Sequence, residues 1–164
     1  MVDTVVIADA TPEDAEAILA LQRVAYQQEA VLHDDFNIPP LTETLQDIRS
    51  AFVSHVFLKA LLGDVIIGSV RGNCDAGTCH IGRLIVHPDF QGKGIGTRLL
   101  SGIENRFPDA VRFELFTGHK SRDNLRFYAK RGYVETDRRV ASDRVTLVYM
   151  QKERGGKKEA RGEG

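Results

Sequence analysis

The chain of 164 residues is long enough for one domain with a single well-formed core, and its composition, 42% hydrophobic and 27% charged, is that of an ordinary globular protein. A net charge of -1 and a pI near 6.5 give no broad cationic field, so we expect no nucleic-acid partner. The sequence opens without a signal-like stretch, and its apolar runs fall short of the ~20 residues that span a bilayer. These features predict a cytoplasmic protein that does not contact membranes.

The N-terminal half predicts a strand and two helices, followed by consecutive strands. Residues 5–7 form the first strand, and Thr11 begins the first helix. Residues 29–40 are expected to be irregular, and Thr42 is expected to cap the second helix. Three strands joined by short turns then predict an antiparallel meander, over residues 56–62, 65–70 and 78–86.

Two cysteines, Cys74 and Cys79, flank the last turn of this meander. A cross-strand disulfide would fit the hairpin geometry, but a cytoplasmic compartment favours free thiols. A zinc site that combines both cysteines with His80 lacks the usual ligand spacing. We therefore expect no metal.

The stretch from His80 to Phe107 predicts a strand, a glycine-rich loop and a helix. The loop carries Gly92, Gly94 and Gly96, which can adopt left-handed conformations and turn successive N–H groups toward one point. Several such amides at a helix N-terminus bind phosphate, and their hydrogen bonds together outweigh the helix dipole. The pattern therefore predicts a phosphate site held mainly by the backbone.

Two common phosphate loops do not fit this spacing. The Walker pattern requires four residues between its first glycine and Gly-Lys-Ser/Thr, and the dinucleotide pattern requires a glycine where Thr97 stands. The remaining motif, Gln-x-x-Gly-x-Gly after a strand that ends in Val-x-Pro, resembles the pyrophosphate loop of the GNAT superfamily of acetyl-CoA-dependent N-acetyltransferases. A glycine-rich turn without a ligand is the alternative.

The resemblance implies that acetyl-CoA is the cosubstrate and assigns residues to its binding. Backbone groups where the fourth and fifth strands splay apart would bind the pantetheine arm, and the loop would bind the diphosphate. The residues are Leu84, Ile85 and Val86 at the splay, and Gln91, Gly92, Lys93, Gly94, Ile95, Gly96 and Thr97 in the loop.

A second segment, from Thr117 to Tyr133, resembles the part of these enzymes that ends in a tyrosine, basic residues and Gly-Phe or Gly-Tyr. Ser121, Asn124 and Tyr128 share one helical face in this segment. By the resemblance, Ser121 or Asn124 replaces the asparagine that usually binds pantetheine, and Tyr128 hydrogen-bonds the leaving sulfur. A tyrosine that only packs the helix on the sheet is the alternative.

Direct attack on a thioester needs a neutral amine, whereas an alkyl amine has a pKa near ~10.4, so a general base is expected. Counted back from Gln91, His80 occupies the strand position where related enzymes often carry glutamate or histidine. The matched segments contain no cysteine, which implies direct transfer without an acyl-enzyme. A purely structural role for His80 is the alternative.

The loop between the first two helices offers three carboxylates, Glu29, Asp34 and Asp35. In the family this region lines the acceptor side of the cleft, which implies a small cationic amine or a basic side chain as acceptor. Solvated carboxylates on a mobile loop are the alternative, since an exposed ion pair contributes only ~0.2–1 kcal/mol.

Together the segments predict an α/β chain with the GNAT acetyltransferase fold, a mixed twisted sheet of about seven strands flanked by four helices. The expected order is strand, two helices, three strands, helix, strand, helix, two strands. Residues 1–152 would form a single N-acetyltransferase domain, and residues 153–164 a charged, glycine-rich flexible tail.

The expected partners are acetyl-CoA and an amine acceptor, and a homodimer is left open. Two other classes of protein also remain open. One is a regulatory module that binds coenzyme A without turnover, and the other is an interaction protein that uses the fold only as a surface.

Overall fold

The computed structural model describes residues 4–154, which contain seven strands and six α-helices. The strands are β1 Val5–Asp9, β2 Val56–Leu62, β3 Val65–Asp75, β4 Thr78–Val86, β5 Arg112–Gly118, β6 Val134–Val140 and β7 Thr146–Glu153. The helices are α1 Ala15–Ala25, α2 Gln27–His33, α3 Pro39–Thr42, α4 Leu45–Ala51, α5 Ile95–Asn105 and α6 Arg122–Lys130. Short 3-10 turns precede α1 and the glycine loop, at Pro12–Asp14 and Pro88–Phe90.

All seven strands pair in one sheet, in the order β1-β2-β3-β4-β5-β7-β6. Neighbouring strands are antiparallel except β4 and β5, which are parallel because α5 connects them. The mixed seven-stranded sheet predicted from the sequence is therefore confirmed.

The pairing between β4 and β5 is short. It runs from Thr78 opposite Arg112 to His80 opposite Glu114, and beyond that point β5 pairs with β7 alone. The two strands therefore splay apart after His80, as the sequence predicted. The opening between them, from residue 81 to the end of β4, is called the splay below.

A bulge in β4 lies within the splay. Two β4 residues, Arg83 and Leu84, stand opposite the single β3 residue Val70. Ile81, before the bulge, packs in the core under α5, whereas Ile85, after it, packs against α1. The bulge therefore reverses which face of the sheet successive β4 side chains occupy.

Helices cover both faces of the sheet. The larger core lies between the strands and the α5–α6 layer, where Leu99 and Ile103 of α5 are fully buried. A smaller core on the other face joins α1 and α4 to Phe57 of β2. The apolar spacing of α5 predicted this burial.

Two expectations about the N-terminal half are wrong. Residues 29–33 are not irregular, because they form the second half of α2, and α3 adds a short helix before α4. The cap of α4 is Thr44 and not Thr42: the Thr44 hydroxyl accepts from the Asp47 N–H, and the Asp47 carboxylate accepts from the Thr44 N–H. This reciprocal pair satisfies two N–H groups and so fixes the start of α4.

The domain also extends further along the chain than residue 152. Glu153 is the last residue of β7, and the Arg154 guanidinium donates to three carbonyl oxygens at 2.6–2.9 Å. Those acceptors are Glu104, Phe107 and Ala110. Glu153 is fixed by its place in β7, and Arg154 by its three hydrogen bonds. The predicted boundary at residue 152 is therefore two residues early. The rest of the predicted tail, 155–164, lies outside the described residues.

Both cysteines are free thiols that face each other across the β3–β4 hairpin. Cys74 is exposed and Cys79 is buried. Burial, together with the neighbouring Cys74, raises the pKa of Cys79 to about 12. The Cys79 thiol is therefore protonated and unreactive at neutral pH.

Candidate active site

The glycine loop presents a row of backbone donors at the start of α5. Gly92 and Gly94 have φ angles of 77° and 84°, and Gly94 is the N-cap of the helix. A side chain at either position would meet open space, so the backbone conformation alone requires glycine there. Within residues 4–154, the N–H groups of residues 92–97 have no backbone acceptor and no side-chain cap. They are available to an anion at the positive end of α5.

Gln91 ties the loop to two neighbouring elements. Its Nε2 donates to the carbonyl oxygen of Val86 at 3.2 Å and to Oε1 of Gln28 on α2 at 3.3 Å. Lys93 is exposed in the same loop. Gln91 therefore holds the loop against the end of β4 through side-chain bonds.

Arg131, which the sequence analysis did not single out, holds the other side of the loop. Its Nη2 donates to Thr97 Oγ1 at 2.6 Å, and its guanidinium lies 3.9 Å from the centroid of the Phe127 ring. A Cβ added at Gly96 would lie 3.5 Å from that ring, so the small residue permits close packing of α5 on α6. Arg131 also brings a fixed positive charge next to the loop.

Tyr128 lies on the sheet-facing side of α6, only 8% exposed. Its ring packs edge-on against Phe127 and Tyr133, with centroid separations of 5.2 and 5.9 Å. Burial, with smaller contributions from Tyr26 and Glu29, raises the pKa of Tyr128. Its hydroxyl therefore remains protonated at neutral pH and can donate a hydrogen bond.

Both residues proposed to contact pantetheine have partners within the protein. The buried Ser121 donates its hydroxyl hydrogen bond to the carboxylate of Glu29 on α2. Asn124 donates from Nδ2 to Thr117 Oγ1 at 3.2 Å and remains half-buried. Of the two, Asn124 retains its amide oxygen for a ligand.

His33 provides a second tie between α2 and the β5–α6 loop. Its Nε2 accepts from the Lys120 N–H at 3.1 Å, so its Nδ1 carries the proton and faces the Glu29 carbonyl oxygen at 3.0 Å. A Cβ at Gly118 would lie 2.4 Å from the ring, which explains the glycine there. Glu29 and His33 thus fix helix α2 across one end of the splay.

His80 occupies the last position of β4 that pairs with β5. Its side chain is 48% exposed, and its Nδ1 lies 3.2 Å from Oε1 of Glu114, the residue opposite it. Gln151 of β7 donates to the other Glu114 oxygen at 3.0 Å. A carboxylate held in this way orients the imidazole and selects which nitrogen carries the proton.

The structure does not bring together the three carboxylates proposed for acceptor binding. Glu29 faces Ser121, whereas Asp34 pairs with Arg144 at 2.9 Å and Asp35 accepts from Ser142 at 2.9 Å. The separation arises because Asp34 ends α2 in a left-handed conformation, with φ of 53°, and the chain turns toward the β6–β7 loop. Each of the three carboxylates therefore has its own partner within the protein, and joint binding of an acceptor by all three stays a prediction.

The family assignment agrees with this geometry. The Acetyltransferase (GNAT) domain family matches residues 22–154, which is most of the chain. The chain therefore belongs to the GNAT acetyltransferase family. The fold and the glycine loop described above are the structural features that this family predicts.

A curated relative and several solved structures resemble the chain. The UPF0157 protein YqkA of Bacillus subtilis (strain 168) is 29% identical over 133 residues, which are 81% of this chain and 38% of that protein. The chain thus spans well under half the length of this relative.

The PaiA N-acetyltransferase of Thermoplasma acidophilum, whose crystal structure contains coenzyme A, superposes with a TM-score of 0.77 at 18% identity, covering 92% of this chain and 99% of that one. A GCN5-related N-acetyltransferase of Rhodopseudomonas palustris has a TM-score of 0.73 at 23% identity, covering 94% and 99%. These similarities confirm the fold.

Residues 4–154 offer neither a metal-ion site nor a membrane-spanning helix. No group of three or more His, Cys, Asp or Glu side chains is arranged to hold a metal ion. None of the helices in this part of the chain is long and apolar enough to cross a membrane.

Proposed function

We propose that the protein transfers the acetyl group of acetyl-CoA to a primary amine by direct attack. The observation that carries the proposal is the row of N–H groups at residues 92–97, which have no acceptor among residues 4–154 and follow the end of β4 that does not pair with β5. Phe127 of α6 and Val86 of β4 both lie within 4 Å of the position that a Cβ at Gly96 would occupy, so the loop, α6 and β4 approach one another at this point. Acetyl-CoA would supply an activated thioester to the opening.

The residues at the splay fit the parts of this ligand. The amides of the glycine loop bind the diphosphate, with Lys93 and Arg131 adding positive charge. The backbone of residues 84–86, which lacks a β5 partner, binds the pantetheine amides as a neighbouring strand would. Asn124 adds a side-chain contact, whereas Ser121 supports the site through Glu29.

His80 and Tyr128 perform the proton chemistry in this proposal. The amine reacts in its neutral form: its nitrogen bonds to the carbonyl carbon, and His80, oriented by Glu114, accepts the proton that this nitrogen loses as the amide forms and the carbon–sulfur bond breaks. The sulfur leaves as a thiolate, and Tyr128 donates a hydrogen bond to it. The raised pKa of Tyr128 makes complete proton transfer to sulfur unfavourable, so the hydroxyl stabilises charge without losing its proton.

Two measurements test this function together. Thermal denaturation with and without coenzyme A measures binding, and thiol release from acetyl-CoA with a panel of primary amines measures transfer. We expect coenzyme A to raise the melting temperature and at least one amine to release thiol. Binding without release from any amine would favour the regulatory module, and no binding would contradict both functions.

A further inference from the structure

A buried ionic cluster lies beside the bulge of β4, on the face of the sheet that α1 covers. Glu43, between α3 and α4, accepts from Arg71 Nη2 at 3.0 Å and from Arg83 Nε at 3.3 Å. Gln22 of α1 donates to the same carboxylate at 2.8 Å. The side chains of the three charged residues are only 12–18% exposed.

Charge within this cluster is not balanced. Two guanidinium groups face one carboxylate, and Nη1 of Arg71 is buried without an acceptor among residues 4–154. A buried donor without a partner and a buried charge without a counter-ion are both unfavourable. The positive charge of Arg71 also acts on His55: burial lowers the pKa of this histidine most, and the charge of Arg71 lowers it further.

Arg83 connects the cluster to the splay. It is the bulged residue of β4, with φ of 51°, a backbone region that arginine seldom adopts and that is common at functional sites. Its bond to Glu43 uses Nε, which leaves both terminal nitrogens for other partners. In the chain, Arg83 directly precedes residues 84–86, whose backbone is proposed to bind pantetheine.

Tyr26, which follows α1, links the arginine pair with Tyr128. Its burial raises its pKa, and the charges of Arg83 and Glu29 act on it in opposite directions. The same tyrosine contributes to the raised pKa of Tyr128. Tyr26 is therefore within electrostatic range of both Arg83 and Tyr128.

We propose that the acceptor carries a carboxylate close to its amine, as an amino acid does, and that Arg71 and Arg83 bind this carboxylate. The inference rests on the proposed acetyl transfer and names its acceptor class. One carboxylate would balance the single excess positive charge of the pair. The planar guanidinium group binds carboxylates through two parallel hydrogen bonds, which gives orientation as well as affinity.

Matched acceptor pairs test the proposal with the full chain. Glycine, β-alanine, L-lysine and L-phenylalanine are each compared with their carboxamides, at saturating acetyl-CoA, by initial rates of thiol release. The amine of the amide is the less basic of each pair, so amine ionisation favours the amide. We expect the carboxylate to have the higher kcat/KM in at least one pair, by about tenfold or more.

Variants at the arginine pair identify the residues responsible. Arg83→Gln should bring the carboxylate-to-amide ratio close to one, while the KM for acetyl-CoA stays unchanged. Arg71→Gln should do the same, provided that coenzyme A still raises its melting temperature. Arg106→Gln is the control, because it removes an exposed arginine that pairs with Asp9 at the surface.

Inhibition of the wild-type protein by small carboxylates tests the proposal without variants, so the result does not depend on whether a variant folds. Propionate, which has the carboxylate but no amine, should inhibit competitively against the acceptor and not against acetyl-CoA. Propionamide should not inhibit at equal concentration. Equal inhibition by the two compounds would overturn the proposal.

The acceptor panel also distinguishes the alternatives. Equal or faster transfer to every amide would overturn the carboxylate proposal while acetyl transfer itself stands. Preference for 2-aminoethyl phosphate would indicate that the arginine pair binds phosphate, and preference for spermidine would indicate a cationic acceptor. Either result would also overturn the carboxylate proposal. Absence of thiol release with every amine would instead contradict the proposed function on which the inference rests.

Discussion

Ser121 at the start of α6 donates its hydroxyl hydrogen bond to the Glu29 carboxylate of α2, 92 residues earlier in the chain. The bond joins α2 to the start of α6. Because the hydroxyl of Ser121 is already committed to Glu29, its role is predicted to be structural. The pantetheine contact is then expected from Asn124.

Ser121→Ala should therefore lower stability more than it weakens acetyl-CoA binding. Loss of the bond to a charged acceptor is expected to reduce the free energy of unfolding by about 1–2 kcal/mol, or about 2–6 °C in melting temperature. Thermal denaturation measures this change, and Ser101→Ala on the exposed side of α5 is the control. The KM for acetyl-CoA should rise in Asn124→Ala and not in Ser121→Ala; the reverse result would return the pantetheine contact to Ser121.

Gly94→Ala tests the diphosphate site. Gly94 and Gly63 both have positive φ, and a Cβ at either would meet open space, so alanine strains the backbone equally, by about 1 kcal/mol. Both variants should lose similar stability in urea denaturation. Only Gly94→Ala should also weaken coenzyme A binding, by about tenfold in isothermal titration calorimetry, because it disturbs the orientation of the loop amides. Equal coenzyme A affinity in the two variants would exclude the loop as the diphosphate site.

Tyr128→Phe separates a catalytic from a structural tyrosine. If the hydroxyl stabilises charge that develops on sulfur, its loss should lower kcat by about 100-fold with little change in acetyl-CoA affinity. Tyr133→Phe is the matched control. It removes a buried hydroxyl that donates to Glu104 at 2.7 Å, so it should lower stability without a selective effect on kcat. If Tyr128→Phe keeps the wild-type kcat, the role of Tyr128 is packing alone.

His80→Gln tests the proposed base through the pH dependence of kcat/KM. A general base must be deprotonated, so activity should fall on the acidic side in the wild type, and the variant should lose that limb. Its rate at neutral pH should drop by about 100-fold. His87→Gln, at the far end of β4, should keep the wild-type profile. If the acidic limb is unchanged in His80→Gln, water or another group accepts the proton.

The parts of the fold that local patterns decide could be predicted from the sequence. The apolar run at residues 84–86, the three glycines and the spacing of Leu99 and Ile103 lie within 20 residues, and they define strand, loop and helix without long-range information. The splay was predicted from the resemblance of the same segment to the GNAT superfamily.

Helix α2 could not be predicted in the same way. Its larger apolar residues Val31 and Leu32 are 68% and 46% exposed, and only the small Ala30 is buried, so the segment has no wide apolar face that packs in the core. It is fixed instead by Glu29 and His33, whose partners lie 92 and 87 positions away. No local spacing rule links residues so distant, and for the same reason the contacts of Glu43 with Arg71 and Arg83 were missed.

The ionic cluster of Glu43, Arg71 and Arg83 should make the free energy of unfolding depend on pH in the acidic range. Burial alone would raise the pKa of Glu43, but the hydrogen bond from Gln22 and the charges of Arg83 and Arg71 outweigh it, so the pKa lies below its ordinary value of 4.5. A carboxyl group with a lowered pKa contributes stability above its unfolded pKa, and the contribution is lost as pH falls through the folded value.

Glu43→Gln should therefore destabilise the protein most at neutral pH. Removing the carboxylate leaves two buried guanidinium groups without their counter-ion, and the expected loss is about 3 kcal/mol at pH 7. Urea denaturation at pH 7 and at a series of pH values below 4.5 measures the difference in the free energy of unfolding from wild type, which should narrow as the pH falls through the lowered pKa of Glu43. Glu16→Gln, an exposed carboxylate on α1, should have little effect at either pH. A constant difference across this range would mean that the Glu43 charge does not stabilise the arginine pair.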